Sequence, residues 1–195
     1  MITTQSNTKK SLFESVNLGE ELKSSWIDGF NEVDSRFLKD LKINVGNVLK
    51  SQNLNEKEAI LMALGVAINE KSTALQTALE EAARKLEATD AEILEVAACV
   101  SLMNANNVFY RFKHFMHKNE NYQTMPAGIR MSVMMNPVLG KEFFELLSLG
   151  VSALNGCEQC VVSHEASVKS HGGTEARIFD SIRLVSVIKS FTAIL

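Results

Sequence analysis

The sequence predicts an all-α fold, and three observations carry that prediction. No segment alternates apolar and polar residues with the period of two that a half-buried strand needs. Only 2 prolines and 10 glycines punctuate 195 residues, too few for a fold built of hairpins, while the abundant Ala, Leu, Met, Glu and Lys favour helix. A unit of apolar helix, second helix, threonine cap and third helix also occurs twice, 85 positions apart.

Along the chain, residues 1–33 are mixed and polar without a sustained period. They read as a partly ordered arm with a short helix near 12–24. Residues 34–195 form the domain proper. Phe37, Leu38, Leu41, Val45 and Val48 fall at helical spacing, with Ile43 off the stripe. Asn53-Leu54-Asn55 opens a strongly apolar helix over 56–69, and another follows over 73–86. Thr89-Asp90 is an N-cap signal for a long helix over 91–116. Pro126 and Pro137 interrupt the middle. Residues 141–154 are apolar nearly all round, Asn155-Gly156 ends that helix, and 157–170 forms the next, up to Gly172-Gly173. Thr174 caps a last helix to about residue 193.

The repeat relates a first unit over about 56–117 to a second over about 141–195. The shift of 85 aligns Leu64-Gly65-Val66 with Leu149-Gly150-Val151, Glu80 with Glu165, and Thr89 with Thr174. It also aligns Ala91 with Ala176, Ile93 with Ile178, and Val100-Ser101 with Val185-Ser186. No gap is needed. The first unit has Ile60, Ser72, Leu75 and Leu79 where the second has Glu145, Cys157, Cys160 and His164. One scaffold carrying a reactive set in only one copy is hard to explain by packing alone.

Composition narrows the chemistry. The chain is 46% hydrophobic and 22% charged, ordinary for a folded domain. A net charge of −3, with no basic patch interleaved with aromatics, argues against nucleic acid. No apolar run reaches the roughly 18 residues of a membrane span, and the first ten residues lack the apolar core of a secretion signal. A cytoplasmic location is the expectation. In a reducing compartment, a close cysteine pair points to redox or metal chemistry rather than to a structural staple.

Cys157, Cys160 and His164, three and four residues apart, share one helical stripe. Helical Cα atoms three apart lie at roughly 5 Å, inside the roughly 4.4–6.8 Å window of a disulfide. Asn155-Gly156 puts both cysteines at the start of their helix, where the dipole and free N–H groups favour thiolate. That effect, about 0.3–2 kcal/mol, lowers a thiol pKa by about one unit, so a strongly activated thiol needs His164 as well. Glu145 lies among Phe143, Phe144, Leu146, Leu147 and Leu149, where a carboxylate needs a wet edge or a buried partner. If Asn155-Gly156 makes a helical hairpin, Glu145 and His164 differ in height by about one turn, close enough for contact. Two other readings stay open at this point: zinc held by these four residues, in a non-enzymatic interaction module, and an incidental pair. Cys99, in Val96-Ala97-Ala98-Cys99-Val100, reads as an inert core thiol. Met131, Met134 and Met135 read as core filler or subunit contact.

The pattern Glu145-x11-Cys157-x-x-Cys160-x3-His164, with Asn106-Asn107-Val108-Phe109-Tyr110-Arg111, Arg130-Met131 and Asn136-Pro137, resembles the alkyl hydroperoxidase D (AhpD) family. That family sits within the carboxymuconolactone decarboxylase-like superfamily. The resemblance implies an AhpD-like helical subunit, often trimeric. It implies a disulfide reductase with alkyl hydroperoxide reductase activity that serves the peroxiredoxin AhpC and takes electrons from dihydrolipoamide on a lipoyl-bearing protein, with no bound cofactor or metal. It further implies that Cys160 attacks peroxide and passes through sulfenic acid, and that Cys157 is proton donor and resolving thiol. Cys157 and Cys160 would close the disulfide, and Glu145 and His164 would form a proton relay. A decarboxylase-like lyase is the alternative within the superfamily. Family members can carry His directly before the second cysteine; here that place is Gln159, which cannot shuttle protons near neutral pH.

Overall fold

In the computed structural model, residues 7–195 are described. Ten α-helices run through the described residues, with no strand among them: α1 (Thr8–Glu14), α2 (Ser25–Glu32), α3 (Arg36–Val48), α4 (Glu56–Asn69), α5 (Thr73–Lys85), α6 (Asp90–Phe115), α7 (Glu120–Thr124), α8 (Lys141–Leu154), α9 (Glu158–Ser170) and α10 (Glu175–Thr192). A 3₁₀ turn at Ser132–Met134 lies between α7 and α8. No helix here is long and apolar enough to cross a membrane.

Local chemistry sets the boundaries. Asn55 and Thr89 each accept a backbone N–H at the third helical position while Glu58 and Glu92 reach back to the cap, closing two capping boxes. Thr174 accepts the Arg177 N–H in the same way. On α3, Leu38, Leu41, Val45 and Val48 are buried, while Phe37 is 45% and Ile43 51% exposed. Ile43 is thus off the stripe as its spacing implies, and of the stripe positions only Phe37 is exposed.

Helix boundaries fall in the register of the sequence repeat. Five boundaries of α8, α9 and α10 lie 85 residues after their counterparts, pairing Glu56 with Lys141, Asn69 with Leu154, Thr73 with Glu158, Lys85 with Ser170, and Asp90 with Glu175, whereas α10 ends at Thr192, short of the position equivalent to the end of α6 at Phe115. The turn residues match too: Lys71 (φ +59°) and Gly156 (φ +66°) both sit in the left-handed region. The units interlock rather than stand side by side, since α6 packs on α8 and α10 packs on α4. At their heart α4 and α8 approach closely. A Cβ on Gly65 would come within 2.7 Å of Leu147, and one on Gly150 within 3.3 Å of Met62. An ion pair ties each third helix to its own unit's first helix, with the charges exchanged. Lys57 meets Glu92 at 2.7 Å, and the equivalent positions hold Glu142 and Arg177 at 2.9 Å.

The N-terminal segment makes two helices instead of one over 12–24. Leu12, Phe13, Val16 and Leu18 are buried, Asn17 turns the chain at φ +60°, and the Ser24 hydroxyl caps α2 by accepting the Ile27 N–H. The same hydroxyl donates to the Ile194 carbonyl at 2.9 Å, and the Phe13 and Phe191 rings lie 6.5 Å apart. Residues 8–32 thereby share the core with the C-terminal helix.

Candidate active site

The second unit builds the site. Asn155, Gly156 and Cys157 turn the chain from α8 into α9, the hairpin that the sequence suggests. Cys157 is the N-cap of α9 and Cys160 lies in its first turn, so both sulfurs sit at the positive end of the helix. The two are joined in a disulfide with Cα atoms 5.3 Å apart. The turn is clamped from α6. The Arg111 guanidinium donates to the Asn155 carbonyl at 2.6 Å, the Asn155 side chain donates to Asn107 Oδ1, and Asn107 donates to Ser152. Part of the Asn106–Arg111 motif therefore fixes the geometry of the cysteine turn.

Glu145 is 3% exposed and His164 8%. The imidazole Nδ1 is 2.6 Å from Glu145 Oε2, while Lys141 Nζ donates to the other oxygen at 2.8 Å and to the Met134 carbonyl at 2.7 Å. Burial pushes the Glu145 carboxyl up, but hydrogen bonds and charge from His164 and Lys141 outweigh it and hold the group at about 2. At neutral pH it is a carboxylate, which only accepts, so His164 Nδ1 must carry the proton and donate. That leaves Nε2 for proton traffic.

Cys160 and His164 line one cavity of about 260 Å³, together with Asn106, Tyr110, Met131, Met134, Gln159 and Ser163. Cys157 opens to a smaller cavity of about 100 Å³ beside Arg111 and His114, and Gln159 borders both. The structure thus brings Glu145, Cys157, Cys160 and His164 together. It also places Met131 and Met134 at the cavity wall, Met134 packing against the core as well, while Met135 is exposed. Cys99 is apart from the pair. Burial pushes its thiol up to about 12 against a hydrogen bond with Ser148, so it stays protonated and unreactive. His171 caps the end of α9 through the Ser167 carbonyl. Among the described residues no three His, Cys, Asp or Glu side chains converge as a metal site.

Sequence reasoning missed Lys141, and it named Asn106 and Tyr110 only within the family motif, without a place in the site. Lys141 had one available signal, its i,i+4 spacing from Glu145. Nothing in the sequence placed α6 across the cavity.

The family model for the carboxymuconolactone decarboxylase family matches residues 120–195. Similarity to curated proteins extends further. The chain is 34% identical over 171 residues to "Alkyl hydroperoxide reductase AhpD" of Maricaulis maris, covering 87% of this chain and 96% of the relative. It is 36% identical over 167 residues to the protein of that name from Brucella canis, covering 84% and 93%. It is 39% identical over 160 residues to that of Solibacter usitatus, covering 82% and 89%.

Proposed function

Since the chain belongs to the alkyl hydroperoxide reductase AhpD family, we propose that it is an antioxidant thiol–disulfide oxidoreductase that reduces alkyl hydroperoxides through Cys157 and Cys160. One observation carries the reading. Cys160 shares a cavity with His164, whose imidazole Glu145 holds at 2.6 Å, and Cys157 lies within disulfide reach of Cys160.

The reduced pair starts the cycle. Cys160 passes its proton to His164 and attacks the terminal peroxide oxygen as thiolate. An S–O bond forms and the O–O bond breaks. The sulfur is oxidised by two electrons to sulfenic acid, and the peroxide leaves as alcohol after taking a proton from the imidazolium. Cys157 then attacks the sulfenic sulfur, an S–S bond forms and water departs. An external dithiol restores the pair by two thiol–disulfide exchanges and leaves as its own disulfide. Glu145 serves this relay as a fixed anion. Held at about 2, it orients the imidazole and stabilises the imidazolium without itself taking up the proton.

Family resemblance supplies the outer partners of the proposal. They are dihydrolipoamide on a lipoyl-bearing protein as donor, and the peroxiredoxin AhpC as a disulfide the reduced pair regenerates. A cytoplasmic location is part of the same reading, because a reducing compartment keeps the pair available as dithiol. So is assembly into a trimer, for which exposed Val108, Phe112 and Phe115 on α6 offer apolar surface. The test is turnover of tert-butyl hydroperoxide with dihydrolipoamide as donor. Consumption of one dithiol per peroxide supports the reading. No turnover of peroxide, with carbon dioxide released from a lactone acid instead, replaces it with a lyase.

A further inference from the structure

Two buried side-chain oxygens lack a hydrogen-bond partner among the described residues, Ser51 Oγ and Asn106 Oδ1. Ser51 lies three residues beyond α3 and lines neither cysteine cavity, whereas Asn106 lines the Cys160 cavity. Asn106 is only 5% exposed. Its amide nitrogen is spent on a weak acceptor, the Met131 thioether at 3.2 Å, and its oxygen on nothing. A buried amide oxygen without a donor is costly, and sites that retain one have a use for it. The neighbouring Asn107 shows the contrast. It is equally buried on the same helix, yet both ends of its amide are satisfied, by Ser152 and Asn155.

We propose that Asn106 is the hydrogen-bonding anchor for the hydroperoxide, its Oδ1 accepting the peroxide O–H while the alkyl group lies against Met131, Met134 and Tyr110. The inference rests on the peroxide-reductase reading of this same cavity. The chemistry fits a hydroperoxide in particular. The terminal oxygen carries one O–H donor, which an amide oxygen can hold, and it is the atom that Cys160 must reach. That O–H stays on the oxygen transferred to sulfur and becomes the sulfenic acid hydrogen, so the hydrogen bond survives bond exchange. The apolar wall accepts the alkyl part without a polar cost. Because Oδ1 is itself buried, Met131, unbranched and adaptable, must turn aside when the donor arrives.

The test uses the full chain with its cysteines reduced. Rates of thiol loss are followed with tert-butyl hydroperoxide, and in parallel with dithiobis(nitrobenzoate), a disulfide that carries no O–H. Asn106→Leu keeps the size and removes both polar ends. It should slow the hydroperoxide reaction about 5- to 100-fold, the range for one lost buried hydrogen bond, with the disulfide rate unchanged. Asn106→Ser, milder if the leucine variant folds poorly, should show the same selective loss to a smaller degree. Equal slowing of both oxidants, or no slowing of either, overturns the assignment. Wild-type protein that exchanges with the disulfide but ignores hydroperoxide overturns the proposed function, and this assignment with it.

Discussion

Replacing Glu145 by Gln keeps the shape of the side chain and removes its charge. The folded carboxyl is held at about 2, against an ordinary value of 4.5. A group whose folded pKa is depressed contributes stability in full above its unfolded pKa and loses it as pH falls through the folded one. The window here runs from about pH 4.5 down to about pH 2. The shift of roughly 2.5 units is worth about 3 kcal/mol at most, since one unit is about 1.4 kcal/mol. Glu145 is 3% exposed, so solvent screening takes little from that figure. For a chain of this size, about 3 kcal/mol corresponds to a fall in Tm of roughly 6–12 °C at pH 7. The assay is thermal unfolding of the oxidised wild-type and Glu145→Gln proteins at pH 7, 4.5, 3.5 and 2.5. The wild type should be more stable at pH 7, and the gap should close as pH falls through the window. Parallel stability curves from pH 4.5 to 2.5 would refute the reasoning, because they would mean that no tightly held carboxylate is protonated there.

The other perturbations are simpler. Cys157→Ser and Cys160→Ser should each abolish turnover with dithiol and hydroperoxide; in Cys157→Ser a single oxidation of Cys160 to sulfenic acid should remain visible by mass spectrometry. His164→Gln should lower the hydroperoxide rate by about 10²- to 10⁴-fold, the usual contribution of a positioned acid–base group, while circular dichroism shows the fold retained. Arg177→Met should destabilise the protein by about 2 kcal/mol in denaturant unfolding, since it leaves Glu58 and Glu142 half-buried without their shared cation. The catalytic rate per folded molecule should be unaffected there.

The helical scaffold was readable because its signals are local. Asn55, Thr89 and Thr174 announce three helix starts by side-chain chemistry that acts within one turn. The two units could be aligned by sequence because insertions are absent from α4 to α6 and from α8 to α10. Glu145, Cys157, Cys160 and His164 were legible for a similar reason: all four lie on one hairpin, so helical rise alone relates them. The position of the opposite wall of the cavity was not, although Asn106, Tyr110 and Met131 stand in the family motif. Asn106 and Tyr110 come from α6, and Met131 and Met134 from the irregular stretch before α8, joined to the cysteines only by tertiary packing. Residues 8–32 were obscured by their shortness. Two turns of helix carry too few apolar positions to reveal a period, and the burial of Leu12, Phe13 and Ile27 depends on α3 and α10 being in place.

Thiol counting under denaturing conditions, before and after one equivalent of tert-butyl hydroperoxide, bears most directly on the redox pair. The reduced chain has three cysteines. The account predicts three thiols before and one after, the survivor being Cys99, with peptide mapping recovering a single Cys157–Cys160 disulfide. Three thiols after treatment, a disulfide that includes Cys99, or Cys160 overoxidised beside a free Cys157 thiol would contradict it.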